Sequence, residues 1–201
     1  MDTEDEKNRR ISKNNWFDPR NLYEGGYPRG IISGFSGFEK VRKALLSMID
    51  EIAPKTALEI GPGDAPVLGA VPRRFYMDIA LPFLKDLDGF RIQADLRNLP
   101  LRGHFDLVVL SDVITHIPPR ERKRCLLEIL GLGERVLIFN GEIIGSGDTR
   151  LDQFPGIDGS AVRTDWIVQT LKEAGRGIWQ KGFIFLSRRG FLHKTIILAE
   201  K

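Results

Sequence analysis

Three carboxylates stand at or beside the ends of short apolar runs: Glu59 within Thr56-Ala57-Leu58-Glu59-Ile60, Asp78 after Phe75-Tyr76-Met77, and Asp95 after Phe90 to Ala94. The first run breaks at once into Gly61-Pro62-Gly63-Asp64. Gly61 and Gly63 have no Cβ, so a ligand can rest against the main chain there without a clash. From Gly61 to Asp78 is 17 positions, close to the roughly 20-residue offset at which a doubly wound fold sets an acid against a ribose. A carboxylate suits that task because it accepts from both vicinal hydroxyls through short charge-assisted bonds. An acid on the next strand can accept from an adenine amino group. Each acid alone would more often form a turn or cap a helix; three in order at strand ends carry the inference.

These groups need a scaffold, and the chain supplies an alternating one. Phe38 to Ala53 has an amphipathic helical pattern, with Val41, Leu45, Met48, Ile49 and Ile52 on one face and Pro54 as the stop. Strands follow at Thr56 to Ile60, Phe75 to Met77, Phe90 to Ala94 and Leu107 to Leu110, with short helices expected over Pro66 to Val71 and Leu81 to Leu87. Pro118-Pro119 opens a basic helix to Leu130, Arg135 to Phe139 is a fifth strand, and Thr164 is expected to cap a helix reaching Ala174. Two last strands, Gly182 to Leu186 and Thr195 to Ala199, have no helix-length linker between them and must pair antiparallel. The fold class is therefore α/β: a mostly parallel, seven-stranded, doubly wound sheet with an antiparallel C-terminal hairpin and helices on both faces.

Two stretches fall outside this alternation. Residues 1–37 form an N-terminal unit: a polar tail expected to be mobile, then aromatics (Trp16, Phe17, Tyr23, Tyr27, Phe35) interleaved with glycines, which reads as a strap on the core or a lid over a pocket. Gly141 to Arg163 reads as a long loop carrying Asp148, Arg150, Asp152, Phe154 and Asp158, suited to choosing a polar substrate. Residues 38–201 form the α/β domain.

Composition narrows the class further. With 201 residues, 42% hydrophobic and 28% charged, the chain is sized for one globular domain. No apolar run is long enough to span a bilayer and the N-terminus is unlike a secretory signal, so a cytoplasmic location is expected, without membrane contact. Cys125 lies in an apolar-periodic stretch and reads as a buried small hydrophobe. Net charge is +3 and the isoelectric point about 9.1. The basic clusters Arg73-Arg74, Arg120 to Arg124 and Arg188-Arg189 read as solvated surface or as a patch for an anion. They lack the aromatic interleaving of a nucleic-acid surface, so nothing points to DNA. No Cys pair or His cluster has ligand spacing, so no metal is expected.

Taken in order, Leu58-Glu59-Ile60-Gly61-Pro62-Gly63-Asp64, Phe75 to Asp78, Ala94-Asp95-Leu96 with Leu99-Pro100-Leu101, and Phe105 to Ile117 resemble the class I S-adenosylmethionine-dependent methyltransferases over residues 38–201. The resemblance implies S-adenosyl-L-methionine as cofactor and an acceptor that the sequence does not identify: a small molecule, a protein or an RNA. It implies that Gly61 and Gly63, with Pro62 between them, lie against the methionine and ribose, with Glu59 beneath. Asp78 would hold the ribose hydroxyls, Ile79 would flank the adenine, Asp95 would take its amino group with Leu96 beside the ring, and Ser111 would line the pocket near the sulfonium. Asp112 and His116 are the candidate catalytic groups; Asp112 can act on a substrate proton or fix its loop, and His116 can be a base or bond a loop carbonyl. His104 reads as turn surface and His193 as exposed near the final turn. The sequence departs from the family's pattern at Ala65, which replaces a third glycine, at charged Asp64, and at Pro66 and Pro72, which cut the following helix short. Pro66 also breaks the G-x-G-x-x-G spacing of a nicotinamide oxidoreductase. The alternatives are a cofactor-binding or interaction module on the same fold with weak or no turnover and, disfavoured by that spacing, a nicotinamide-binding oxidoreductase.

Overall fold

The structure is a computed structural model that describes residues 38–144, 162–187 and 190–201. The expectations for residues 1–37, for most of the 141–163 loop and for Arg188-Arg189 lie outside the described residues.

In chain order the elements are α1 (Phe38–Ile52), β1 (Thr56–Ile60), β2 (Arg73–Asp78), α2 (Leu81–Leu84), β3 (Phe90–Gln93), β4 (Phe105–Ser111), α3 (Pro119–Leu132), β5 (Gly133–Ile144), α4 (Thr164–Glu173), β6 (Gly177–Ser187) and β7 (Gly190–Glu200). Single 3₁₀ turns sit at Leu96–Asn98 and Ile114–His116. One seven-stranded sheet has the order β3-β2-β1-β4-β5-β7-β6. The first five strands run parallel, while β7 pairs antiparallel with both β5 and β6. The terminal hairpin is thus inserted through its second strand, leaving β6 at the edge. Both of its strands run well past the apolar cores visible in the sequence, because each residue from Gly177 to Ser187 finds a ladder partner on β7.

Alternation within β1 divides the interior. Leu58 and Ile60 join Cys125, Leu126 and Ile129 of α3 and Ile167 and Leu171 of α4 on one face. Ala57 joins Val41, Leu45 and Ile49 of α1 on the other. Those three α1 side chains lie four residues apart, the repeat of one helical face, and burying each contributes about 1.5–3 kcal/mol. Asp106 staples the start of β1 to β4: its Oδ2 accepts from the backbone N–H groups of Lys55 and Thr56, each at 2.8 Å. Those bonds, Thr56 first, hold its carboxyl below the usual range.

Several local expectations change. No helix forms over Pro66 to Val71, although Val67, Leu68 and Val71 are buried as a helical face would be. The prolines withhold donors, and the Val67 N–H is given to Glu59 Oε2 at 3.0 Å instead of to a helical carbonyl. Thr164 is the first residue of α4 and not its cap; its hydroxyl turns to Asn140 and Thr195, at 3.4 Å each. His193 is a half-buried residue of β7, its Nε2 seated over Gly182 and 3.4 Å from Thr195 Oγ1. Cys125 is buried, its thiol pushed up to about 11 by that burial. The basic run on α3 is largely paired, Lys123 with Glu173 at 2.9 Å and Arg124 with Glu128 at 2.8 Å. Arg122 turns inward. No helix among the described residues is long and apolar enough to cross a membrane.

Candidate active site

After β1 the chain turns toward the α1 face, where Val67 and Leu68 pack; after β4 it turns to the opposite face, where α3 packs. Such a divergence opens a crevice beyond the carboxyl ends of the two strands, the usual ligand position in open α/β sheets. Here its walls are the Gly61 turn and the loop that begins at Asp112.

The turn is built from left-handed glycines, Gly61 at φ +70° and Gly63 at φ +52°. The Gly61 N–H donates to the Met77 carbonyl at 2.8 Å, tying the turn to β2. A Cβ on Gly61 would lie 2.0 Å from Val113 Cγ2. The space above this α-carbon is therefore filled by Val113 of the facing loop, so the missing side chain serves packing across the crevice.

Glu59 lies beneath, fully buried. Its Oε2 accepts from Val67 N, and its Oε1 from Ser111 Oγ at 3.2 Å. Burial pushes its carboxyl up to about 7, against the opposing pull of those bonds and of Arg42. It thereby joins the first-strand turn to the end of β4. Asp78 is 9% exposed and its Oδ1 accepts from the Ala80 N–H at 2.9 Å. Burial pushes it up to about 6, while backbone bonds from Ala80, Gly63 and Ile79 act the other way. The β2 acid and the glycine turn are thus in direct contact.

Asp95 follows β3. Its Oδ1 accepts from the Arg97 backbone N–H at 2.8 Å, and its Oδ2 from the Arg97 guanidinium Nε at 2.9 Å. Leu96 is buried in the core on the α3 face, and Ile79 is half-buried. The strand order places Asp95, Asp78 and Glu59 along three neighbouring strands that lead to the crevice.

On the other wall, Asp112 has a left-handed backbone, φ +55°. Its Oδ1 accepts from the Gly141 N–H at 3.2 Å and its Oδ2 from Lys194 Nζ at 3.1 Å. His116 forms no hydrogen bond with these groups. Its Nδ1 is buried without a hydrogen-bond partner among the described residues. Burial holds the imidazole below its ordinary value; Asp112 pulls the other way and Arg122 adds to the depression. Arg122 itself, 7% exposed, holds the loop by donating from Nε to the Ile117 carbonyl at 2.7 Å and from Nη2 to the Thr115 carbonyl at 3.3 Å.

The structure so brings Glu59 to Ser111 and Asp78 to Gly63, and forms no hydrogen bond between His116 and Asp112's carboxylate. Val113, Arg122, Gly141 and Lys194 were not singled out from sequence. Lys194 had one available signal, a cation inside the apolar run Phe191 to Leu198.

No family model matches this chain. No curated protein matches it either. Solved structures do. Magnesium protoporphyrin IX methyltransferase (ChlM) from Synechocystis PCC 6803, solved with bound SAM, superposes with a TM-score of 0.60 at 13% identity, over 99% of this chain and 92% of that one. The N-methyltransferase NodS from Bradyrhizobium japonicum WM9, in complex with S-adenosyl-L-homocysteine, gives 0.60 at 13% identity over 97% of each chain. The methyltransferase domain of a bacterial CtHen1 gives 0.59 at 11% identity, over 80% of this chain and 98% of that one. With its sheet order and terminal antiparallel strand, the chain has the fold of the class I S-adenosylmethionine-dependent methyltransferases.

Proposed function

We propose that the chain is a methyltransferase that binds S-adenosyl-L-methionine in the β1/β4 crevice and passes its sulfonium methyl to a nucleophile. The observation that carries this reading is the left-handed Gly61-Pro62-Gly63 turn in contact with the buried acid of the next strand, Asp78. In this reading Asp78 accepts from the ribose hydroxyls, with Ile79 beside the adenine. Asp95, steadied by Arg97, takes the adenine amino group with Leu96 behind it. Gly63 and Pro62 meet the methionine and ribose. Ser111 lines the sulfonium end, where Glu59 already holds its hydroxyl. The acceptor's lone pair forms the new bond to the methyl carbon as the carbon–sulfur bond breaks, and that electron pair stays on sulfur to give S-adenosylhomocysteine. Alignment and exclusion of water are the protein's main contributions, because the cofactor brings the reactivity. The lone, buried Cys125 accords with a cytoplasmic enzyme.

Calorimetry with S-adenosylmethionine, S-adenosylhomocysteine and NAD tests this. The sulfur nucleosides are expected to bind and NAD is not; the reverse pattern would sink the proposal. One observation favours a second reading, a cofactor-binding module without turnover: Asp112 is engaged by Gly141 and Lys194, and His116 Nδ1 is buried. Incubation with methyl-labelled cofactor and cell-extract fractions separates the two, because only an enzyme moves label into protein, RNA or small molecules.

A further inference from the structure

Lys194 sits on β7 directly across from Gly141 of β5. Its ammonium lies 4.8 Å from the centre of the Phe139 ring and 3.1 Å from Asp112 Oδ2. It occupies the room that Gly141 leaves, since a Cβ there would stand 2.3 Å from Nζ. The side chain is only 14% exposed. An ammonium placed this way, over an aromatic face, bonded to one carboxylate and with its stem beside Gly141, is held more rigidly than a surface lysine.

The carboxylate it meets belongs to a residue that needs holding. Asp112 adopts a left-handed backbone, which L-residues other than glycine adopt at a cost, Asp and Asn least. Three contacts fix it: its N–H donates to the Phe139 carbonyl at 2.9 Å, its Oδ1 accepts from Gly141, and its Oδ2 accepts from Lys194. The reversed backbone sends the next residue, Val113, across the crevice, where Cγ2 fills the space beside the Gly61 α-carbon. Thr115 Oγ1 donates back to the Asp112 carbonyl at 2.9 Å and continues the brace. An unbroken line of contact therefore runs from β7 through Asp112 and Val113 to the glycine turn of β1.

We propose that Lys194 is a positioning residue for the cofactor turn: by holding Asp112 in its left-handed conformation it seats Val113 against Gly61 and so sets the shape of the sulfur-nucleoside site. This assigns Asp112 to support of the loop and not to proton transfer, and it rests on the reading that this turn binds such a nucleoside.

The test is calorimetric titration of the full chain with S-adenosylhomocysteine, well below the melting temperature. Lys194→Met keeps an unbranched stem beside Gly141 and removes the ammonium. It is expected to weaken binding roughly three- to thirtyfold, the span of measured couplings through packed networks. Asp112→Asn keeps the shape and its Oδ1 acceptor, loses the charge partner, and should show a comparable loss, which keeps the idea testable if the lysine variant folds poorly. Val113→Ala should weaken binding too, and the double variant with Lys194→Met should be no weaker than the worse single one. A lysine that merely stabilises the domain would lower the melting temperature and leave the affinity alone. Unchanged affinity in the charge variants, or losses that multiply in the double variant, would overturn the inference. Failure of the wild-type chain to bind S-adenosylhomocysteine would instead overturn the functional reading.

Discussion

Replacing Glu59 by Gln isolates a buried proton. The amide is close to isosteric: its oxygen can take the Val67 N–H, and its NH2 can donate to Ser111 Oγ, which accepts in place of donating. The wild-type carboxyl holds its proton to about pH 7 in the folded chain, against an ordinary 4.5, and burial is the main cause. Between those values the folded state binds more protons than the unfolded one, so stability is lost as pH rises. The loss amounts to under ~1 kcal/mol at pH 5 and about 3 kcal/mol at pH 8. Glu59→Gln has no such term. Its stability relative to wild type should therefore improve by about 2–3 kcal/mol between pH 5 and pH 8. Asp78, also shifted upward, slopes the same way in both proteins and cancels in the comparison. Urea unfolding of the two proteins at both pH values measures the difference. Parallel curves, with a gap that stays the same within about 1 kcal/mol, would show that Glu59 carries no such buried proton.

Two further substitutions probe the crevice. Asp78→Ala should weaken S-adenosylhomocysteine binding by about 1.5–3 kcal/mol, the range for a bond to a charged group. For the same reason wild-type affinity should fall as pH drops through about 6, where the carboxyl gains its proton; an affinity flat across that range would place the ribose contact elsewhere. Gly61→Ala meets both a left-handed φ and Val113 Cγ2, and should cost about 2–4 kcal/mol in urea unfolding. Adding Val113→Ala should recover the steric share only, and a wild-type urea midpoint for Gly61→Ala alone would refute the packing account.

What could be read from the chain was whatever local pattern controls. The apolar runs ending near Glu59 and Asp78 announce strands because their carboxyl halves are buried on both faces. The run before Asp95 is a largely exposed edge strand, marked only by its length and flanking turns. The last pair of strands announces its direction because its linker is too short for a crossover. Residues 66–71 defeat the same logic: Val67, Leu68 and Val71 have helical spacing, but the N–H that a helix needs is claimed by a carboxylate eight residues earlier. Arg122 is indistinguishable in sequence from its basic neighbours, and its burial is decided by two carbonyls of the preceding loop. The pairing of Lys194 with Asp112, 82 residues apart, exists only through the β5–β7 register. Asp112 follows β4 as the sequence order implies, but its left-handed φ has no signature in a sequence that offers neither Gly nor Asn there.

The missing helix between β1 and β2 has an electrostatic consequence. A helix rising from the glycine turn would aim the positive end of its macrodipole, and several free N–H groups, at any ligand resting there, an arrangement that favours a diphosphate. In this chain the Gly63 and Val67 donors are already given to Asp78 and Glu59, and no aligned peptide dipoles stand behind the turn. A ligand at the turn meets two buried acids with no helix dipole behind the turn to offset them, and without the row of free N–H groups that a helix N-terminus would offer a pyrophosphate. The backbone path after β1 and the two acids that engage its donors thus set the electrostatics of the turn together.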